Sequence, residues 1–127
     1  MDLAHPCIWV SDLDRAIEFY AAIGLERQWT FELDGVQNVY VGDEDGVGEV
    51  QLRHDPDRTT PIAPNRADVD HLGFAVDDVD ATYQTALDAG ASEVTAPTMV
   101  EAANAYVSFV EDPEGYTLEF FKHVDEE

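Results

Sequence analysis

Positive charge is the scarcest feature of this 127-residue chain: six Lys and Arg stand against 28 Asp and Glu, for a formal charge of −22. Such a surface repels phosphate backbones and anionic lipid heads, which excludes nucleic acid and charged membranes as partners. Cysteine is nearly absent as well. Cys7 stands alone, so no intramolecular disulfide can form. No apolar run approaches the roughly 20 residues needed to span a bilayer, and the opening Met-Asp-Leu-Ala-His carries no basic leader. Together these absences predict a cytoplasmic protein.

What is present is a normal interior. Apolar residues make up 45% of the chain, enough for one compact domain over 1–127. The acid groups are spread along the chain rather than gathered in a tail, and Lys122 is the only lysine. An even carboxylate coat over an ordinary core predicts a halophilic protein, whose self-repulsion is screened by salt.

The chain also repeats itself. His5/His71, Val10/Val76, Asp12/Asp78, Asp14/Asp80 and Gly24/Gly90 are all 66 positions apart. The His and Gly pairs carry most of the weight, because both residue types are scarce here while Asp is abundant. Leu3 to Val10 reads as a strand, and Ser11 followed by Asp14 reads as a helix start. Leu13, Ala16, Ile17 and Tyr20 then recur at helical spacing, with Gly24 as the stop. The second copy predicts a strand over 70–76 and a helix over 78–89 with Val79, Tyr83, Ala86 and Leu87 inward, closed by Gly90.

Three short strands follow each helix, near 26–33, 36–42 and 47–54, then near 92–96, 105–111 and 116–123. They are separated by the turn residues Asp34-Gly35, Asp43-Glu44-Asp45-Gly46 and Asp112-Pro113-Glu114-Gly115. The fold class is therefore α+β: two βαβββ modules, about 1–55 and 70–127, with a Pro-containing linker over 56–69. Exposed sheet edges are liabilities, so the eight strands are expected to form a cup-shaped barrel.

Strand alternation then singles out candidates for chemistry. His5 and His71 open the leading strands, and Gln51 and Glu119 sit in the last strands within Val50-Gln51-Leu52 and Leu118-Glu119-Phe120. Their apolar neighbours must face the opposite side. If that side meets the helices, all four point into the cup. Two imidazoles, an amide oxygen and a carboxylate make an N2O2 set suited to one divalent ion of Zn, Ni, Co, Mn or Fe. Taken singly, each histidine reads better as an ordinary polar residue at a strand start; the twofold repetition is what favours a site. Trp9 and Cys7 share the parity of His5 and line either the pocket or the barrel core. Arg53 shares the parity of Gln51 and either anchors an anionic substrate or offsets acidic neighbours. His54, of opposite parity, and His123 read as surface residues, while Trp29, Phe31 and Tyr40 read as sheet packing or a dimer interface.

From Leu3 to about Lys122 the chain resembles the vicinal oxygen chelate superfamily, which contains glyoxalase I, methylmalonyl-CoA epimerase, extradiol dioxygenases and the fosfomycin and bleomycin resistance proteins. The resemblance is carried by His5 with Val10-Ser11-Asp12-Leu13-Asp14-Arg15-Ala16-Ile17-Glu18-Phe19-Tyr20, by His71-Leu72-Gly73-Phe74-Ala75-Val76-Asp77-Asp78, and by Phe109 to Glu119 around the Asp-Pro-Glu-Gly turn. The last stretch is most like glyoxalase I. The resemblance implies a metal-binding cup whose ligand positions fall on His5, Gln51, His71 and Glu119, and a homodimer. It further implies a lyase or isomerase in which Glu119 moves a proton in a thiol–oxoaldehyde adduct while an enediolate is stabilised; the alternatives are an epimerase-like isomerase, a ring-cleaving dioxygenase or a non-catalytic resistance-type small-molecule binder. Departures narrow the substrate. Trp9 and Asp55 stand where glutathione-binding enzymes carry Arg and Asn, which favours another small thiol, and Asn38 stands where the epimerase carries a second acid.

Overall fold

The computed structural model describes residues 1–45, 48–64 and 69–124. It divides into two compact units, Met1–Ala63 and Pro64–Glu127. The first contains β1 (Cys7–Trp9), α1 (Leu13–Ala22), β2 (Glu26–Leu33), β3 (Val36–Gly42) and β4 (Glu49–His54). The second contains β5 (Leu72–Ala75), α2 (Val79–Asp88), β6 (Ser92–Val100), a short 3-10 turn (Glu101–Ala103), β7 (Ala105–Glu111) and β8 (Thr117–His123). Each unit is thus one βαβββ module. The strand orders are β1-β4-β3-β2 and β5-β8-β7-β6, the same topology twice. Leading and last strands pair in parallel, and the other pairs are antiparallel. The eight strands therefore form two separate four-stranded sheets rather than one hydrogen-bonded ring.

Both helices begin and end by the same devices. Asp12 accepts from the Arg15 amide and Asp78 from the Ala81 amide, each at 3.0 Å, satisfying a donor that the first turn leaves open. The cap in the first module is Asp12, not Ser11, so the Asp12/Asp78 pair marks a structural repeat. Gly24 at φ +103° and Gly90 at φ +112° close the helices in backbone conformations that a side chain would strain.

In the first unit Ala16, Phe19 and Tyr20 of α1 are buried, as are Val10, Val39, Val41, Val50 and Leu52 of the sheet. In the second, Val79, Tyr83 and Ala86 of α2 are buried, with Val110, Leu118 and Phe120. Phe19 replaces Ile17 as a main inward residue; Ile17 is half-buried.

Several boundaries differ from expectation: β5 is Leu72–Ala75 rather than 70–76, α2 is Val79–Asp88 rather than 78–89, and β8 begins at Thr117 rather than at 116. β1 is confined to Cys7–Trp9, although the chain before it still follows β4, with Gln51 N donating to Pro6 O at 2.9 Å. β6 runs to Val100, through Pro97, with register irregularities between Glu93 and Thr98. It is an edge strand, where a missing N–H costs no ladder bond. β4 begins at Glu49 rather than at 47. Residue 47, the Gly46 end of the second turn and 65–68 of the expected linker lie outside the described residues.

Candidate functional site

The parity expected of the last strands is present in both modules. Val50 and Leu52 are buried, as are Leu118 and Phe120, while Gln51 and Glu119 occupy the opposite face and are half-buried. Cys7 pairs with Gln51, and Gly73 pairs with Glu119, in parallel ladders. The leading histidines lie two residues before those partners, hence on the same face of the strand run.

In the second unit the candidates meet. His71 Nε2 lies 3.1 Å from Glu119 Oε1, and His71 Nδ1 lies 2.7 Å from Asp70 Oδ2. The ring is held between two carboxylates, which is possible only if each nitrogen presents positive character to its neighbour. At Nδ1 a proton suffices. At Nε2 either a proton or a cation shared with Glu119 separates what would otherwise be two facing lone pairs.

In the first unit the amide of Gln51 is oriented by a buried neighbour. Its Nε2 donates to Asn38 Oδ1 at 2.8 Å, and Asn38 Nδ2 donates to Val36 O at 3.2 Å. Asn38 is 1% exposed. With the nitrogen committed, the amide oxygen of Gln51 is the atom left for a ligand. Asn38 is an amide locked in a chain of hydrogen bonds and has no proton to exchange, so it serves as support rather than as an acid.

A repeated aromatic contact accompanies each pair. His5 meets Tyr40 edge-on, with centroids 5.0 Å apart, and His71 meets Phe109 edge-on at 5.4 Å. Tyr40 lies across the ladder from Gln51, and Phe109 lies across from Glu119. Each module thus presents a histidine just before its leading strand, with an aromatic wall and a polar side chain from two neighbouring strands. Tyr40 also stacks on Trp29 at 4.0 Å, and Phe31 extends the stack, with Trp29 48% and Phe31 40% exposed. Burial raises the Tyr40 phenol above its ordinary value, helped by Cys7 and Glu49 and opposed by Arg53. Burial likewise pushes the Cys7 thiol up, with Arg53 opposing.

Arg53 lies over Trp9, with its guanidinium carbon 4.6 Å from the ring centroid. His54 is turned away, its Nδ1 3.1 Å from Val10 O, and His123 is exposed. Among the described residues, no three His, Cys, Asp or Glu side chains gather into a ligand cluster within either unit. Each unit carries half of the expected set. The donor chemistry fits a divalent ion: a carboxylate facing an imidazole nitrogen in one unit, and an oriented amide oxygen beside a second imidazole's strand in the other.

Three contributors were missed from sequence. Asp70 had a signal, an acid directly before His71, but no counterpart in the first module. Tyr40 and Phe109 become visible only once the antiparallel register places them opposite Gln51 and Glu119.

Comparison with known proteins places these features in context. Residues 2–120 match the family model described as Glyoxalase/Bleomycin resistance protein/Dioxygenase superfamily. A lactoylglutathione lyase of Haemophilus influenzae is 27% identical over 126 residues, covering 97% of this chain and 93% of the relative. A probable lactoylglutathione lyase of Synechocystis is 28% identical, covering 96% of this chain and 95% of the relative. Among solved structures, a glyoxalase family protein from Bacillus cereus superposes with a TM-score of 0.83 at 19% identity, over 98% of this chain and 95% of that one. Glyoxalase I from Zea mays superposes with a TM-score of 0.77 at 22% identity. This chain is 98% covered there and spans 45% of the maize chain.

Proposed function

The chain belongs to the Glyoxalase/Bleomycin resistance protein/Dioxygenase superfamily, and from that premise we propose that it is a divalent-metal-dependent lyase of the glyoxalase I type. Its substrate is a small thiol–oxoaldehyde hemithioacetal, and its product is a thioester. The two modules act as one domain over 1–127, a homodimer in solution. His5 and Gln51 supply one half of the donor set, His71 and Glu119 the other. A bound divalent ion supplies Lewis-acid stabilisation of negative charge on the substrate oxygens.

The reaction is an isomerisation. Glu119 takes the proton from the carbon bearing sulfur and returns it to the neighbouring carbon, while the hydroxyl proton passes from the first oxygen to the second, so the thiohemiacetal carbon becomes the thioester carbonyl and the former ketone becomes an alcohol. Glu119 Oε1 faces His71, which leaves Oε2 as the atom that carries the proton. His71 is held against Glu119 by Asp70, and Gln51 by Asn38. Trp9 and Arg53 contact the substrate beyond the reacting carbons.

The observation that carries this reading is the 3.1 Å approach of His71 to Glu119, repeated in outline by His5 and Gln51 around Tyr40. The lactoylglutathione lyase names of relatives that cover nearly the whole chain support it. Thioester formation from methylglyoxal and a panel of small thiols, with each of the five metals at high salt, tests it. Turnover that is lost in Glu119→Gln is expected. Absence of turnover across the panel, or full activity in Glu119→Gln, overturns it.

A further inference from the structure

Two neighbours in sequence touch in the second unit in a way that a strand forbids. His71 Nδ1 lies 2.7 Å from Asp70 Oδ2. Successive side chains of a strand point to opposite faces, so this contact needs a break in the extended chain. The break is present: β5 begins only at Leu72, and residues 69–71 belong to no strand. The carboxylate of Asp70 therefore reaches one nitrogen of the ring while the other, Nε2, lies 3.1 Å from Glu119 Oε1.

Such a contact does little for stability. The side chain of Asp70 is 93% exposed, and exposed pairs of this kind add little to the unfolding free energy. Its effect is directional. A carboxylate only accepts, so in a neutral ring it demands the proton on Nδ1 and leaves the lone pair on Nε2, the nitrogen that faces Glu119. Phe109 braces the same ring edge-on at 5.4 Å. Gly73, across the ladder from Glu119, keeps the carboxylate uncrowded, because a Cβ there would come to 3.4 Å from Oε1.

The first module has no such device. Ala4 stands 66 positions before Asp70 and offers the His5 ring no acceptor. The repeat shares the histidine and not its support.

We propose that Asp70 is the positioning residue of His71: it keeps the ring proton on Nδ1 and aims Nε2 at the place a cation would share with Glu119. The second module's half of the donor set is thereby oriented before any ion arrives. This rests on the lyase reading above for the identity of what Nε2 meets, and it gives Asp70 no contact with substrate or ion.

Proton NMR of the metal-free protein reads the ring directly. A hydrogen-bonded Nδ1–H exchanges slowly and is shifted downfield, and its signal is assigned to His71 by its absence from His71→Ala. Asp70→Ala is expected to abolish it. Asp70→Asn keeps an oxygen acceptor without the charge and is expected to retain it, weakened. His54, whose Nδ1 lies 3.1 Å from Val10 O, gives a second such signal that stays in both variants. In parallel, zinc affinity measured by isothermal titration is expected to fall about 10-fold or more in Asp70→Ala, and less in Asp70→Asn. Asp88→Ala, an equal loss of charge at the end of α2, is expected to change it by less than about twofold. That variant separates orientation from the general pull of an acidic surface. A His71 signal untouched in Asp70→Ala, or a zinc affinity that falls no further there than in Asp88→Ala, overturns the proposal. Failure of the parent protein to bind zinc contradicts the lyase reading alone, because the ring signal is read without metal and decides the assignment of Asp70 by itself.

Discussion

Asn38 shows how much of the site depends on one buried side chain. It accepts from the Gln51 amide at 2.8 Å and donates to Val36 O, so the direction in which Gln51 points is set from behind. Replacing it by Leu frees the amide to turn its nitrogen outward, and nitrogen of an amide is no ligand. Asn38→Leu is expected to weaken divalent-ion binding by about 10-fold or more, the usual scale for an orienting partner. Isothermal titration checks this; unchanged affinity with an intact fold would show that Gln51 is not held through Asn38. From sequence alone Asn38 read as a missing acid. Its role as a support follows only from the β3–β4 register, which pairs Tyr40 with Gln51 and puts Asn38 beside Arg53.

The elements were more legible than their ends. β2, β3 and β7 coincide with the expected ranges, because each is bounded by residues that force a turn. β6 overran its expected end at 96 because Pro97 is harmless on an edge, and edge position is a property of the sheet, not of the local sequence. The helix caps were underrated because aspartate is so common here that a repeated pair carried little statistical weight.

One turn matters beyond its size. Asp112, 4% exposed, accepts through Oδ1 from the amides of Glu114, Gly115 and Tyr116, each at 2.9 Å, and so aims β8 and Glu119. Asp112→Ala strands these donors. It is expected to cost about 2 kcal/mol or more of unfolding free energy, read by urea denaturation; a change within about 0.5 kcal/mol, as for an ordinary surface substitution, would contradict the assignment.

At the scale of the whole molecule, two features were readable at once: the doubled βαβββ plan and the excess of acid. Both come from counting and spacing. A charge of −22 on a chain this small makes compaction work against its own field. The melting temperature is therefore expected to rise steadily from dilute buffer to molar potassium chloride, as followed by circular dichroism; a flat profile would remove the halophilic reading. No helix among the described residues is long and apolar enough to cross a membrane.

Assembly of a complete donor set from both modules is what turns a duplicated fold into a proposed enzyme. Spacing suggested it through His5 and His71; within the modules His71 lies on Glu119, and His5 lies against Tyr40, which pairs with Gln51. The most direct test is the metal content of the purified protein and of its His5→Ala and His71→Ala variants, measured by inductively coupled plasma mass spectrometry after loading and dialysis. One divalent ion per chain in the parent protein, lost in both variants, is the expected result. Retention of the ion by His5→Ala at the parent level would contradict a cation held jointly by the two halves.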